Sequence, residues 1–163
     1  MRTSLKYISF FSIFAILGFS REFLFVNINS QLYSLYYHYN DYKLPNSLYF
    51  IQNLDYLTLY YLKYPLTILY FLAYFFTSYF AVKLICDYKK NAIWVFYIYL
   101  ILIALASISM GYNYFIQNQL GGDEYTFSRW LMGIAQSPLV AFFVIASGKL
   151  YNKFQTEQKQ QTL

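Results

Sequence analysis

Charge is scarce in this chain. Only 12% of its 163 residues are Asp, Glu, Lys or Arg, roughly half the share found in a soluble domain. Cysteine is almost absent as well: Cys86 stands alone, so no disulfide can form within the chain. With one histidine, His38, and one cysteine, the chain cannot assemble a four-ligand Cys/His zinc site. Gly-x-Ser-x-Gly, P-loop and His-Glu-x-x-His patterns are missing too. What is abundant is apolar surface. Apolar residues make up 59% of the chain and aromatic ones 25%, with 21 Tyr and 17 Phe. That composition excludes a disordered chain. It also exceeds what one core of this size can hide, whereas a bilayer can solvate it.

An all-α membrane protein is therefore expected, built as a single polytopic domain with four transmembrane helices. A span needs about 20 mostly apolar residues. The spans are read at 5–26, 64–86, 92–110 and 129–149. The first begins with Lys6 and holds Arg21 and Glu22 near its far end. Its basic start and the small-x-small triplet Gly18-Phe19-Ser20 also suit a cleavable signal peptide. The apolar run resumes at Phe23 to Val26, which favours a retained anchor.

Lys and Arg near span ends set orientation. With the N-terminus cytoplasmic, Arg2, Lys6, Lys83, Lys89, Lys90, Lys149, Lys153 and Lys159 lie inside, against the acids Asp87 and Glu157. Arg21, Lys43, Lys63 and Arg129 lie outside with the remaining five acids. The net charge of +5 thus reads as an inside-positive topology with both termini cytoplasmic. The basic residues do not gather on one element, so no nucleic-acid partner is expected.

Between the first two spans, an outer loop is expected from about Asn27 to Lys63. Ten tyrosines lie between residues 30 and 64, and tyrosine settles at the headgroup level. The loop is read as lying on the membrane. Leu44-Pro45-Asn46-Ser47 predicts a turn and helix start, with Asn46 or Ser47 as N-cap. An interfacial helix over Leu48–Tyr64 would then lead into the second span near Pro65. Asp87 to Asn91 predicts a tight hairpin between the second and third helices. Gly121-Gly122-Asp123-Glu124 predicts an acidic turn, and residues 152–163 a frayed polar tail. Small residues at spacing four, namely Ala73, Thr77 and Ala81 and again Gly133, Ser137 and Ala141, predict packing faces, with Ser107 and Gly111 in the third helix. Pro138 should kink the last span and release a carbonyl one turn earlier, which Gln136 or Ser137 would satisfy.

Five residues form the candidate structural or contact site: Arg21, Glu22, Arg129, Gln136 and Pro138. Ionisable groups in a membrane face a bundle or find a partner. Arg21 and Glu22 point about 100° apart on a helix and do not pair well with each other. Glu22 is expected to reach Arg129, and Arg21 to turn to Asp123, Glu124 or lipid phosphate. The competing reading is a pair of snorkelling arginines. Arg129, Gly133 and Gln136 are expected to share one helix face. Catalysis is not expected: Cys86 falls at the inner end of the second helix and His38 in the outer loop, and a nucleophilic thiol needs its base nearby. Neither a cofactor nor a metal is expected.

The layout resembles the small multi-pass proteins encoded beside exosortases in Bacteroidetes, the exosortase F or exosortase X system-associated membrane proteins. The residues that carry the resemblance are Arg21-Glu22-x-Leu24-Phe25, Leu44-Pro45, Arg129-Trp130-Leu131, Gln136 and Pro138. It spans most of residues 5 to 155. The chain departs from the pattern at Lys63-Tyr64, where Arg-Tyr is the family form. The resemblance implies a non-enzymatic inner-membrane accessory protein in protein sorting or surface-polymer export, partnered by an exosortase and by membrane lipids. The alternative is a small transporter or channel subunit. That role needs polar residues along a path, and the third helix offers only Ser107 and Ser109.

Overall fold

A computed structural model describes residues 3–38, 43–86, 91–112, 115 and 126–161. Five α-helices and one 3-10 helix account for nearly all of them: α1 (Thr3–Tyr37), the 3-10 helix (Asn46–Ile51), α2 (Tyr56–Ile85), α3 (Asn91–Tyr112), α4 (Thr126–Ala135) and α5 (Leu139–Gln161). The described residues include no strand. Three helices, α1, α2 and α3, are long and apolar enough to cross a membrane, and α4 with α5 would be a fourth if the bent pair is one span.

Polar side chains inside α1 are tolerated because they bond back into their own helix. Ser9 Oγ donates to the Leu5 carbonyl at 2.9 Å, Ser20 Oγ to Leu17 at 3.1 Å and Asn27 Nδ2 to Phe23 at 2.7 Å. Instead of ending at Val26, α1 runs on to Tyr37. It continues because Leu24, Ile28, Leu32 and Leu35 keep an apolar face at helical spacing. His38, at φ 55°, takes the left-handed conformation that commonly closes a helix.

The chain divides into two compact units, Ala15–Tyr70 and Met1–Phe14 with Phe71–Leu163. In the first, the Leu24–Leu35 face of α1 packs on Leu48, Ile51 and Leu59, with Leu62 and Leu66 beside them. The helix expected over Leu48–Tyr64 is in fact two elements. The 3-10 helix starts at Asn46 behind an N-cap at Pro45, with no side-chain cap bond from Asn46 or Ser47. Its first bond is Leu48 N–H to the Pro45 carbonyl at 2.9 Å. Asp55 then restarts the helix: the Thr58 N–H donates to its carboxylate at 3.4 Å, and the Leu59 N–H to its carbonyl at 3.0 Å. From there α2 passes through Pro65 without a junction. Seven of the ten tyrosines between residues 30 and 64 stand on helix ends. Tyr33, Tyr36 and Tyr37 of α1 meet Tyr56, Tyr60, Tyr61 and Tyr64 of α2 in a run of ring contacts, joined where Tyr36 and Tyr56 lie 6.1 Å apart.

Asp55 gives a pH prediction. The Thr58 side-chain hydrogen bond, with the Thr58 backbone bond next, holds its carboxyl below the ordinary value of 3.8. A lowered folded-state pKa gives stability that is present above the unfolded value and lost as pH falls through the folded one. Asp55→Ala should lower the melting temperature at pH 7, and its deficit should shrink below pH 3.8. Asp55→Asn, an equally good cap, should keep most of the helix start. Melting curves in detergent across pH would check this, and a pH-independent deficit would refute it.

The second unit is centred on Val82, Cys86, Ala92, Val95, Tyr99, Ala135, Val140 and Val144. The expected hairpin of the second and third helices is visible in its contacts. The Tyr99 ring lies 5.3 Å from Phe71 and 5.2 Å from Phe75, and its hydroxyl bonds Ser78 Oγ at 3.3 Å. The turn itself, at residues 87–90, lies outside the described residues. The tail expected to fray continues α5 to Gln161. Two i,i+4 pairs support it, Lys153–Glu157 at 3.8 Å and Gln155 to the Tyr151 hydroxyl at 3.2 Å.

Candidate functional site

Arg21 and Glu22 sit on α1 in the unit Ala15–Tyr70; Arg129, Gln136 and Pro138 belong to the other unit. Eighteen helical residues precede Arg21, a rise of about 27 Å. That is close to the hydrocarbon thickness of about 30 Å. Arg21 is half-buried and its guanidinium lies 5.6 Å from the Phe25 ring centroid. Glu22 is exposed. Asp123 and Glu124, expected to receive Arg21, lie outside the described residues.

The expected shared face of Arg129, Gly133 and Gln136 does not hold as one environment. Arg129 is exposed and Gln136 is 4% exposed. The reason is that α4 ends at Ala135, which leaves Gln136 in the break before α5 and turned into the core. Two helices meet there at 61°. The expected kink at Pro138 is therefore a full break. Ser137 organises it. Its Oγ donates to the Ile134 carbonyl at 2.7 Å and accepts the Leu139 N–H at 3.3 Å. The Ile134 carbonyl, one turn before Pro138, is thus satisfied by Ser137, one of the two residues expected to do so. Ser137 Oγ thereby takes one of the open N–H groups at the start of α5, and Pro138, just before Leu139, is the N-cap residue, outside the helix, where a missing N–H costs nothing. The first bond of α5 runs from the Phe142 N–H to the Pro138 carbonyl at 3.0 Å.

Of the small residues expected on packing faces, Ala81 and Ala141 are buried, but the two glycines among them do not mark close helix approach. A Cβ at Gly111 or Gly133 would meet nothing within 4 Å. One at Gly148 would stand 2.5 Å from Asn91 Nδ2 and 3.6 Å from Cys86 Sγ. Gly148 is thus the seat of the α3 N-terminus on α5. Asn91 is 8% exposed, and its Nδ2 finds no hydrogen-bond partner among the described residues. Sequence reasoning passed over Asn91 and Gly148, and also Gln31, a buried polar residue on the core face of α1. For Gln31 a signal was present, since it falls at helical spacing with Ile28 and Leu35.

Among the described residues, no three His, Cys, Asp or Glu side chains come together as a metal site would require. The chain matches no protein-family model, no curated protein and no solved structure.

Proposed function

We propose that this chain is a non-enzymatic accessory protein of a bacterial inner membrane, serving an exosortase-type protein-sorting or surface-export system. In this reading it crosses the membrane four times, α4 and α5 forming one broken span, with both termini cytoplasmic. The 3-10 helix Asn46–Ile51 and the tyrosines around it lie at the outer headgroups. Its partners are membrane lipids and an exosortase, and it needs no cofactor.

One observation carries the reading. The apolar window of α1 is only 6% buried within the chain. A helix so bare needs lipid or another polytopic protein along its length. Glu22 stands exposed on it at the outer boundary, where an ionisable group seeks a partner. Arg21 and Glu22 in one unit, and Arg129, Gln136 and Pro138 in the other, also carry the family resemblance and are the residues proposed to make structural or partner contacts.

Co-purification with the exosortase encoded nearby, in mild detergent, tests this. A stable complex is expected, weakened several-fold by Glu22→Gln or Arg129→Gln with the helical content unchanged. No complex, together with normal sorting in a deletion strain, would overturn it. Reporter fusions at Asp41, Lys90, Asp123 and Lys159 test the topology. Lys90 and Lys159 should report the cytoplasm and the other two the outside; an outside signal at Lys90 would reverse the orientation.

A further inference from the structure

Within the unit Met1–Phe14 with Phe71–Leu163, the first turns of α1, the end of α2 and the first turns of α5 enclose a cleft of about 250 Å³. It is lined by Tyr7, Phe10, Phe14, Ile85, Phe142 and Ala146, among others. Apart from Tyr7, every lining side chain is aliphatic or phenyl. Phe11 and Phe142, at its edges, are exposed, so the cleft opens on the surface.

Two ammonium groups border it. Lys149 Nζ lies 4.7 Å from the Tyr7 ring centroid. Lys6 Nζ lies 3.0 Å from the carbonyl of Leu84, the neighbour of the lining residue Ile85. The one carboxylate among the described residues of this unit, Glu157, pairs with Lys153 and with neither of them. The Tyr7 hydroxyl is buried and lacks a hydrogen-bond partner among the described residues, an arrangement that favours a bound acceptor. An apolar slot, two cations at its rim and an orphan donor beside them match one chemistry.

We propose that this cleft holds one acyl chain of an anionic glycerophospholipid, with the headgroup phosphate between Lys6 and Lys149 and an ester oxygen accepting from Tyr7. The slot selects a chain and the lysines select an anionic headgroup. The charge sign decides against a zwitterionic lipid, and the absence of polar lining beyond Tyr7 decides against a free phosphate compound. The site would tie the start of α1 to α5 through a lipid, whichever protein the chain partners.

The full-length protein in detergent should be titrated with phosphatidylglycerol, phosphatidylcholine and glycerol 3-phosphate and followed by native mass spectrometry. One phosphatidylglycerol per chain is expected to be retained, at least about tenfold more tightly than phosphatidylcholine, given roughly 1 kcal/mol per basic residue at an anionic lipid surface. Lys6→Gln with Lys149→Gln should erase that preference. Ala146→Phe fills the slot from an exposed position and should release the lipid while leaving the melting curve without lipid unchanged; Ala146→Leu, a smaller intrusion, should weaken it less. Equal retention of the two lipids, binding of glycerol 3-phosphate as tight as that of phosphatidylglycerol, or undiminished binding by Ala146→Phe would each overturn the proposal.

Discussion

Tyr99→Ala is expected to cost about 3–5 kcal/mol, the range for removing a buried aromatic ring. Tyr99 is 2% exposed and lies at the centre of the α2–α3 contact, between the Phe71 and Phe75 rings. Truncation leaves a void that two rigid, antiparallel helices cannot close. Tyr99→Phe keeps the ring and loses only the bond to Ser78. Hydrogen bonds between membrane helices average about 0.6 kcal/mol, so this variant should fall close to wild type. Ser78 is fully buried, but its hydroxyl can turn back to a carbonyl of its own helix. Reversible denaturation in mixed detergent micelles would read both. A Tyr99→Phe deficit as large as that of Tyr99→Ala would mean that the hydrogen bond, and not the ring, holds the pair.

Gly148→Leu should destabilise by about 1–3 kcal/mol, the usual cost of forcing methylenes into a packed site. Even a Cβ would stand 2.5 Å from Asn91 Nδ2, and Asn91 is itself buried. The cost should be partly relieved in Gly148→Leu/Asn91→Ala, since the second change clears the space the first one needs. A double-mutant cycle isolates that coupling. Gly133→Ala, with nothing within 4 Å of the added carbon, is the matched control. It should be neutral, or stabilising by up to about 1 kcal/mol from helix propensity. Coupling near zero between positions 91 and 148 would show that the α3 start does not rest on Gly148.

The contrast between these glycines shows what was legible in advance. Spacing alone nominated Gly111 and Gly133, because small residues four apart form a stripe on any helix. Whether a stripe meets a neighbour depends on which face the bundle covers, and that is a long-range property. Gly148 belongs to no such stripe, yet it is where a neighbour comes close. Ser137-Pro138 was partly legible. Pro138 and the carbonyl it frees pointed to a kink, and Ser137 does satisfy that carbonyl. The same two residues also start a new helix, Ser137 Oγ accepting the Leu139 N–H and the Pro138 carbonyl the Phe142 N–H. The apolar run after Pro138 hid that second meaning.

Helix ends were misjudged for a related reason. Hydropathy marks where lipid begins and ends; it does not mark where backbone hydrogen bonding stops. Beyond its first apolar run, α1 keeps an apolar face and so stays helical to Tyr37. Seven of the ten tyrosines between residues 30 and 64 stand on two helix ends in aromatic contact. In α5 the polar stretch after Asn152 kept its helix through i,i+4 pairs.

By itself the sequence determined that the chain is helical, that three or four of its helices are apolar enough for a membrane, and where along each of them the charges fall. These follow from composition and from runs of apolar residues, which act locally and need no partner. Only the tertiary structure decided that Gln136 turns inward while Arg129 stays exposed, that Gly148 seats Asn91, and that Lys6, Tyr7 and Lys149 gather at one cleft. Those residues lie far apart in the chain. Their chemistry exists only once helix packing brings them together, and side-chain shape, which no local pattern encodes, sets that packing.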